Sequence, residues 1–364
     1  MEMPRLSQLR AVPLVLTAVW LVADEPPAPT ASNGPTPSTH QPIPGIRSLS
    51  VAVEQAAAQL HAGGLVVAEV RDGTVRYFSA GKPAPRAGIP PEKVIFEIGS
   101  VTKVFTGLLL AQAVVEHKVA LNDPIARYLP PNVATSAGLT GITLEQLATH
   151  TSGLPRLPYN MKPPSPDDPY ADYTVEELYA FLRAYSPKRP PPRPWDYSNL
   201  GVGLLGHLLS RVYGQSYAEL VGAKITGPLG MADTVVNLND EQRSRFAVPH
   251  EDRKIIQAWD IPTLAGAGAL HSTALDLARF TQVLMSSAAN PLRAAWDIVR
   301  QPRHDIPWNR LETGLIVTIE KRDGSADYSH NGRTGGFRSY LEWSPQSGGA
   351  VVILENNTTV ERKR

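Results

Sequence analysis

Two blocks of strand-forming sequence, set far apart and divided by a long helix-rich stretch, constrain the fold of this chain more than any other feature. GLVVAEV (Gly64–Val70) and TVRYFSAG (Thr74–Gly81) flank Asp72-Gly73, a pair suited to a tight hairpin turn. From Gly314 the same texture returns in GLIVTIEKRDG, ADYSHNG, GFRSYLEWSPQSG and GAVVILENN. Asp-Gly and Ser-Gly-Gly turns separate these runs and predict an antiparallel meander of three or four strands. Between the two blocks lie VTKVFTGLLLAQAVVEH, TLEQLATH, TVEELYAFLRAY, LGVGLLGHLLSRVYG and TALDLARFTQVLMSS. These have helical spacing and start signals such as Thr143 and Thr174. LSVAVEQAAAQL, ahead of the first strand, is helical in spacing as well. Strands from both ends of the chain, interrupted by helices, predict an α+β fold: an antiparallel sheet flanked by helices, as an α/β sandwich. The sheet is expected from about residues 48–99 and 310–357, with an all-helical insertion over about 105–305. Leu157–Pro194 is dense in proline and reads as an irregular surface loop around one helix.

The amino end has a different character. Two arginines precede an apolar run from Ala11 to Val22, too short to span a bilayer comfortably but suited to the core of an export signal. The following LVADEPPA is a mediocre cleavage site. Residues 1–23 therefore read either as a removed signal peptide or as an uncleaved membrane anchor. Residues 24–47 read as a Pro/Ser/Thr-rich linker, leaving 48–364 as the folded domain of an exported, periplasmic or secreted protein. The chain has no cysteine, which excludes a disulfide framework, thiol catalysis and thiolate metal sites. A net charge of +1 over 364 residues argues against nucleic acid or an acidic membrane surface as the main partner. Nothing in the sequence points to an obligate protein partner, a cofactor or a metal.

Candidate chemistry begins in FEIGSVTKVFTGLLLAQAVV (Phe96–Val115), whose charged side chains are Glu97 and Lys103. A lysine in an apolar helix is costly unless paired or neutral. On a helix, positions three apart share a face, so Lys103 can reach the Ser100 hydroxyl. Gly99 allows a sharp turn in front of the serine, and backbone N–H groups at a helix start favour a developing oxyanion. Ser-x-x-Lys by itself arises by chance on the order of once in a chain this long. A capping serine with a snorkelling lysine is the plainer explanation of that spacing. Two more motifs change the balance. Tyr197-Ser198-Asn199 sits just before an apolar helix, where Ser or Asn would also serve as an N-cap. His330-Asn331-Gly332 ends a strand, and the Gly-rich segment after it would let backbone approach a ligand. No G-x-S-x-G elbow and no H-E-x-x-H occurs.

FEIGSVTK, YSN and HNGRTGGFRSY, in that order, resemble the serine penicillin-recognising hydrolases. The branch is that of class C β-lactamases, serine D-Ala-D-Ala carboxypeptidases and β-lactamase-like esterases. LATHTSGLP and GAGALHSTALDLARF are similar to accessory landmarks of that branch, and the likeness covers roughly residues 48–357. It implies a β-lactamase/transpeptidase-like fold and a small-molecule substrate. Residue by residue, it implies that Ser100 is the acylated nucleophile, Lys103 its proton acceptor and Tyr197 a proton shuttle. Asn199 would hold the substrate's acyl side chain and help to orient Lys103. The backbone N–H groups of Ser100 and Arg333 would form the oxyanion hole, and His330, Asn331 and Gly332 would line the substrate. Two neighbouring cations would depress the Tyr197 pKa toward working pH.

Two departures from the family pattern stand out. Where β-lactamases usually have Lys-Thr-Gly, this chain has His330-Asn331-Gly332. That removes a fixed cation for a substrate carboxylate, which Arg333 or Arg338 would have to replace, unless both are plain exposed strand charges. The sequence also stops at LENNTTVERKR, where the family usually adds a helix. His150, in THTSG, reads as a structural loop residue. The primary expectation is hydrolysis of β-lactams or D-Ala-D-Ala-type amides through an acyl-Ser100 intermediate. The alternatives are a carboxylesterase on the same machinery and a penicillin-binding sensor without turnover.

Overall fold

The structure is a computed structural model and describes residues 49–162, 168–187, 190–307, 311–322 and 324–358. The expected signal or anchor and the linker lie outside the described residues. The chain begins with α1 (Leu49–Ala58), β1 (Gly64–Arg71) and β2 (Thr74–Gly81). Asp72 and Gly73 have φ of 49° and 79°, the left-handed pair that a two-residue hairpin turn requires. A short β3 (Ile95–Glu97) leads into α2 (Thr102–Val115), followed by α3 (Leu144–Ala148), α4 (Val175–Ala184) and α5 (Asn199–Tyr213). Next come β4 (His250–Glu251), β5 (Lys254–Ile255), β6 (His271–Thr273), α6 (Ala274–Met285) and α7 (Arg293–Val299). The chain returns to the sheet with β7 (His304–Ile306), β8 (Leu311–Thr313), β9 (Thr318–Arg322), β10 (Ser325–Arg333), β11 (Arg338–Ser344) and β12 (Gly349–Glu355).

Eight of these strands form one sheet in the order β2-β1-β12-β11-β10-β9-β8-β7, antiparallel throughout. The closure between chain ends is β1 against β12, with Val67 opposite Ile353. β1 is buried on both faces, which explains its unbroken apolar run. Leu65 and Val67 turn to one side and pack with Ala52 and Val53 of α1. Val66, Ala68 and Val70 turn to the other side and join the large core with α2 and α6. The meander is longer than its sequence signal, because β7 and β8 are only three residues each and too short for periodicity to reveal.

The insertion is mainly helical, but it also carries β4–β5 as a small hairpin and β6, which pairs with β3 through Phe96 and Ser272. That pairing fixes the residues just ahead of Ser100 against the segment leading to α6. Start signals act as expected: Thr143 and Thr174 form reciprocal caps with Gln146 and Glu177. Among the described residues, no helix is long and apolar enough to cross a membrane.

Candidate active site

Ser100 lies in a single tight turn, Gly99–Val101, between β3 and α2. Gly99 has φ 46°, and a methyl group on it would stand 2.8 Å from the Arg333 nitrogen. A methyl on Gly332 would meet the Ile98 carbonyl at 2.1 Å and the Ser100 nitrogen at 3.0 Å. Only glycine at both positions lets the nucleophile turn and the end of β10 come together. Ser339 of β11, opposite Gly332, secures the approach by donating to the Ile98 carbonyl at 2.7 Å. The backbone N–H groups of Ser100 and Arg333 are thus held within one small region.

Lys103 is wholly buried on the first turn of α2. Its Nζ lies 2.8 Å from Ser100 Oγ and donates to the Ala267 carbonyl at 2.6 Å. Burial, and secondarily the nearby Arg156 charge, holds its pKa well below the usual lysine range. A neutral amine 2.8 Å from a hydroxyl is a competent base for it. The expected contact from Asn199 to Lys103 is not the one formed. Asn199 opens α5 and its Nδ2 donates to the Tyr170 hydroxyl at 3.2 Å, while Ala267 supplies the second Lys103 partner.

Tyr197 OH donates to Ser100 Oγ at 2.8 Å. Its ring is packed against His150 at 4.6 Å, with Lys103 Nζ at 5.0 Å and the Arg156 guanidinium at 5.3 Å from its centroid. The tyrosine pKa is not depressed. Burial pushes it up to about 12, outweighing the lowering by the Ser100 hydrogen bond and by Arg156. Arg156 is the cation that lowers it, and burial exceeds that effect. Tyr197 therefore rests as a phenol, ready to give a proton.

Ser198 caps α5, accepting from the Gly201 N–H at 2.8 Å, so capping and site placement coexist in this triplet. His150 explains how the triplet is held. Its Nδ1 accepts the Ser198 N–H at 3.1 Å, and its backbone sits at φ 58°. Burial and the neighbouring Lys103 keep it neutral, well below the usual histidine range. This matches the structural role read from THTSG.

His330 faces the site and is buried. Its Nδ1 lies 2.6 Å from the Asn331 carbonyl, and burial followed by Lys103 lowers its pKa to about 4. It is a neutral imidazole near pH 7. Because Gly332 and Ser339 face Ser100, strand alternation turns Asn331, Arg333 and Arg338 to the opposite face. Arg333 thus offers its backbone to the site.

The cleft beside Ser100 is small, about 240 Å³, and is lined by Tyr170, Asn199, Trp259, Ile261, Gly268 and Thr334 among others. Tyr170 and Trp259 pack with ring centroids 5.3 Å apart. Asn199 Oδ1 is buried there with no hydrogen-bond partner among the described residues. Glu97, three residues before Ser100, accepts the Trp259 N–H at 2.7 Å and so ties this wall to β3. Tyr170 and Trp259 lie in irregular segments that gave no signal in the sequence. Ala267 and Gly268 fall in GAGALHST, which did. A larger open groove of about 850 Å³ passes Arg300, Ile319 and Tyr328 and does not include Ser100.

Comparison with known proteins gives the family. The β-lactamase family model matches residues 50–364. The chain belongs to the β-lactamase family. As a member of it, the chain is a serine hydrolase. It is 31% identical over 303 residues to the D-alanyl-D-alanine-carboxypeptidase/endopeptidase AmpH of Escherichia coli (strain K12), covering 78% of this chain and 77% of that protein. It is 26% identical over 353 residues to a β-lactamase of Pseudomonas fluorescens, covering 86% and 93%. Among solved structures, the class C β-lactamase from Rhodobacter sphaeroides superposes with a TM-score of 0.73 at 23% identity, over 86% of this chain and 95% of that one. The β-lactamase/D-alanine carboxypeptidase from Pseudomonas syringae gives 0.72 at 22% identity, over 85% and 94%. For this β-lactamase-family chain, those two likenesses speak to the fold.

Proposed function

We propose that this chain hydrolyses β-lactams or D-Ala-D-Ala-type amides through an acyl-enzyme on Ser100. One observation carries the reading: Ser100 Oγ stands 2.8 Å from a buried, largely neutral lysine amine and 2.8 Å from a protonated tyrosine. Lys103 takes the Ser100 proton as Oγ attacks the carbonyl carbon, and the Ser100 and Arg333 N–H groups receive the oxyanion. Tyr197 gives its proton to the departing nitrogen and is reprotonated from the Lys103 ammonium. Water then attacks the acyl carbon, the same groups run in reverse, and Ser100 is released. Asn199 Oδ1, without a hydrogen-bond partner among the described residues, is suited to accept an N–H from the substrate's acyl side chain. The names of the Escherichia coli and Pseudomonas fluorescens relatives support this choice of substrates.

A carboxylesterase is the second reading. A neutral His330 in place of the usual lysine favours it, since esters need no carboxylate anchor. The apolar run Ala11–Val22 supports export of the chain, as a cleaved or tethered protein. A panel of cephalosporin, acyl-D-Ala-D-Ala and short p-nitrophenyl ester, run with wild type and Ser100→Ala, tests both readings. Higher kcat/KM on lactam or peptide, lost in Ser100→Ala, is expected. A strong ester preference would select the second reading, and full activity in Ser100→Ala would sink both.

A further inference from the structure

The third motif leaves the Ser100 side of β10 without a cation, because His330 is neutral there. Arg333 borders the Ser100 cleft at the end of β10, but strand alternation sends its side chain and that of Arg338 to the other face. They pair directly across β10 and β11, and cross-strand partners share a face. Gly332 and Ser339, the next pair, face Ile98 and Ser100, so the two arginines face away. Arg338 stands beside the buried Glu355, whose carboxyl it favours in the ionised form.

A different segment brings a guanidinium to the ring of Tyr197, whose hydroxyl bonds Ser100. Arg156 follows the THTSGLP loop and is exposed, with its guanidinium 5.3 Å from the centroid of the Tyr197 ring. Its backbone is locked to the Tyr197-Ser198-Asn199 segment on both sides. The Leu200 N–H donates to the Arg156 carbonyl at 3.1 Å, and Ser198 Oγ donates to the Pro155 carbonyl at 2.7 Å. Among the described residues no carboxylate forms an ion pair with it. Behind burial, which is the larger influence on each, its charge disfavours the protonated forms of Lys103, His150, Tyr170 and Tyr197. Among the described residues, the free site thus holds a cation that opposes protonation of its own base and no carboxylate ion-paired with that cation. An anion arriving beside Tyr197 would remove that imbalance.

We propose that Arg156 is a specificity-determining residue that binds a carboxylate on the leaving-group side of the substrate, next to the Tyr197 hydroxyl. The carboxylate is that of an acyl-D-amino acid's carboxyl-terminal residue or its lactam counterpart, and a planar guanidinium receives it in two-pronged fashion. This rests on the acyl-enzyme reading of Ser100, so its test uses binding without turnover. In the Ser100→Ala background, titration calorimetry compares Nα-acetyl-D-alanyl-D-alanine with its carboxyl-terminal amide. The acid is expected to bind more tightly by roughly 10- to 100-fold, the range for a charge-assisted hydrogen-bond pair. Adding Arg156→Gln is expected to bring the two ligands to within about threefold, and Arg156→Lys to retain part of the preference. Adding Arg333→Ala, which keeps the backbone N–H, is expected to leave the preference intact. No preference in Ser100→Ala, a preference that survives Arg156→Gln, or one abolished by Arg333→Ala would each overturn the proposal. Wild-type turnover of the acid is read separately. Its absence beside an Arg156-dependent preference would remove the acyl-enzyme reading and leave the carboxylate site standing.

Discussion

Replacing Glu97 with glutamine should flatten the pH dependence of stability over the weakly acidic range. Glu97 is 3% exposed, with Oε1 receiving the Trp259 N–H and Thr334 beside the carboxyl. Burial raises its pKa from 4.5 to about 7. Below pH 4.5 the carboxyl is neutral in both folded and unfolded chains, and its contribution is fully present. Between 4.5 and about 7 the unfolded chain ionises while the folded one keeps its proton, so stability falls as pH rises. Above about 7 the contribution is gone. At 1.36 kcal/mol per pH unit, the loss is roughly 3 kcal/mol. Urea unfolding of wild type and Glu97→Gln at pH 4.5 and pH 8 measures it as a difference of differences. Glu355, raised to about 8, titrates in both proteins and cancels. Wild type should lose about 3 kcal/mol more than the variant between the two pH values. Parallel losses, or a larger loss in the variant, would refute the reasoning.

Other consequences are as direct. Tyr197→Phe removes the 2.8 Å hydrogen bond to Ser100 and should lower kcat by roughly 10²- to 10⁴-fold with an unchanged thermal midpoint, seen in steady-state kinetics and calorimetry. Gly332→Ala would press a methyl group onto the Ile98 carbonyl and the Ser100 nitrogen, so activity should collapse; retained activity would show that this approach is not needed. His150→Phe strands the buried Ser198 N–H and should cost about 1–3 kcal/mol in denaturant unfolding, with kcat falling as the Tyr197 segment loosens.

Local chemistry was legible in the sequence, and chemistry assembled from distant irregular segments was not. Ser100 and Lys103 meet because three residues of helix-forming sequence bring them to one face, a relation that spacing alone displays. The Asp72-Gly73 hairpin, the caps at Thr143 and Thr174 and the long strands of the meander are local in the same sense. Tyr197 was found by its place in an ordered set of motifs. The direction of its pKa shift is set by burial, which spacing does not reveal. Asn199 reaches Tyr170 and not Lys103 because residues beyond the motif supply the partners. Tyr170 and Trp259 come to the cleft from loops with no periodicity. β6 is hidden because three residues carry no pattern of their own.

The central claim is that Ser100 receives the acyl group, and intact-mass spectrometry tests it most directly. Wild type and Ser100→Ala are mixed with a penicillin, quenched in acid at short times and mapped by proteolysis. The account predicts a transient mass gain equal to the whole penicillin on the peptide that contains Ser100, absent from Ser100→Ala. An adduct on another residue, or acylation of Ser100→Ala at the wild-type rate, would contradict it.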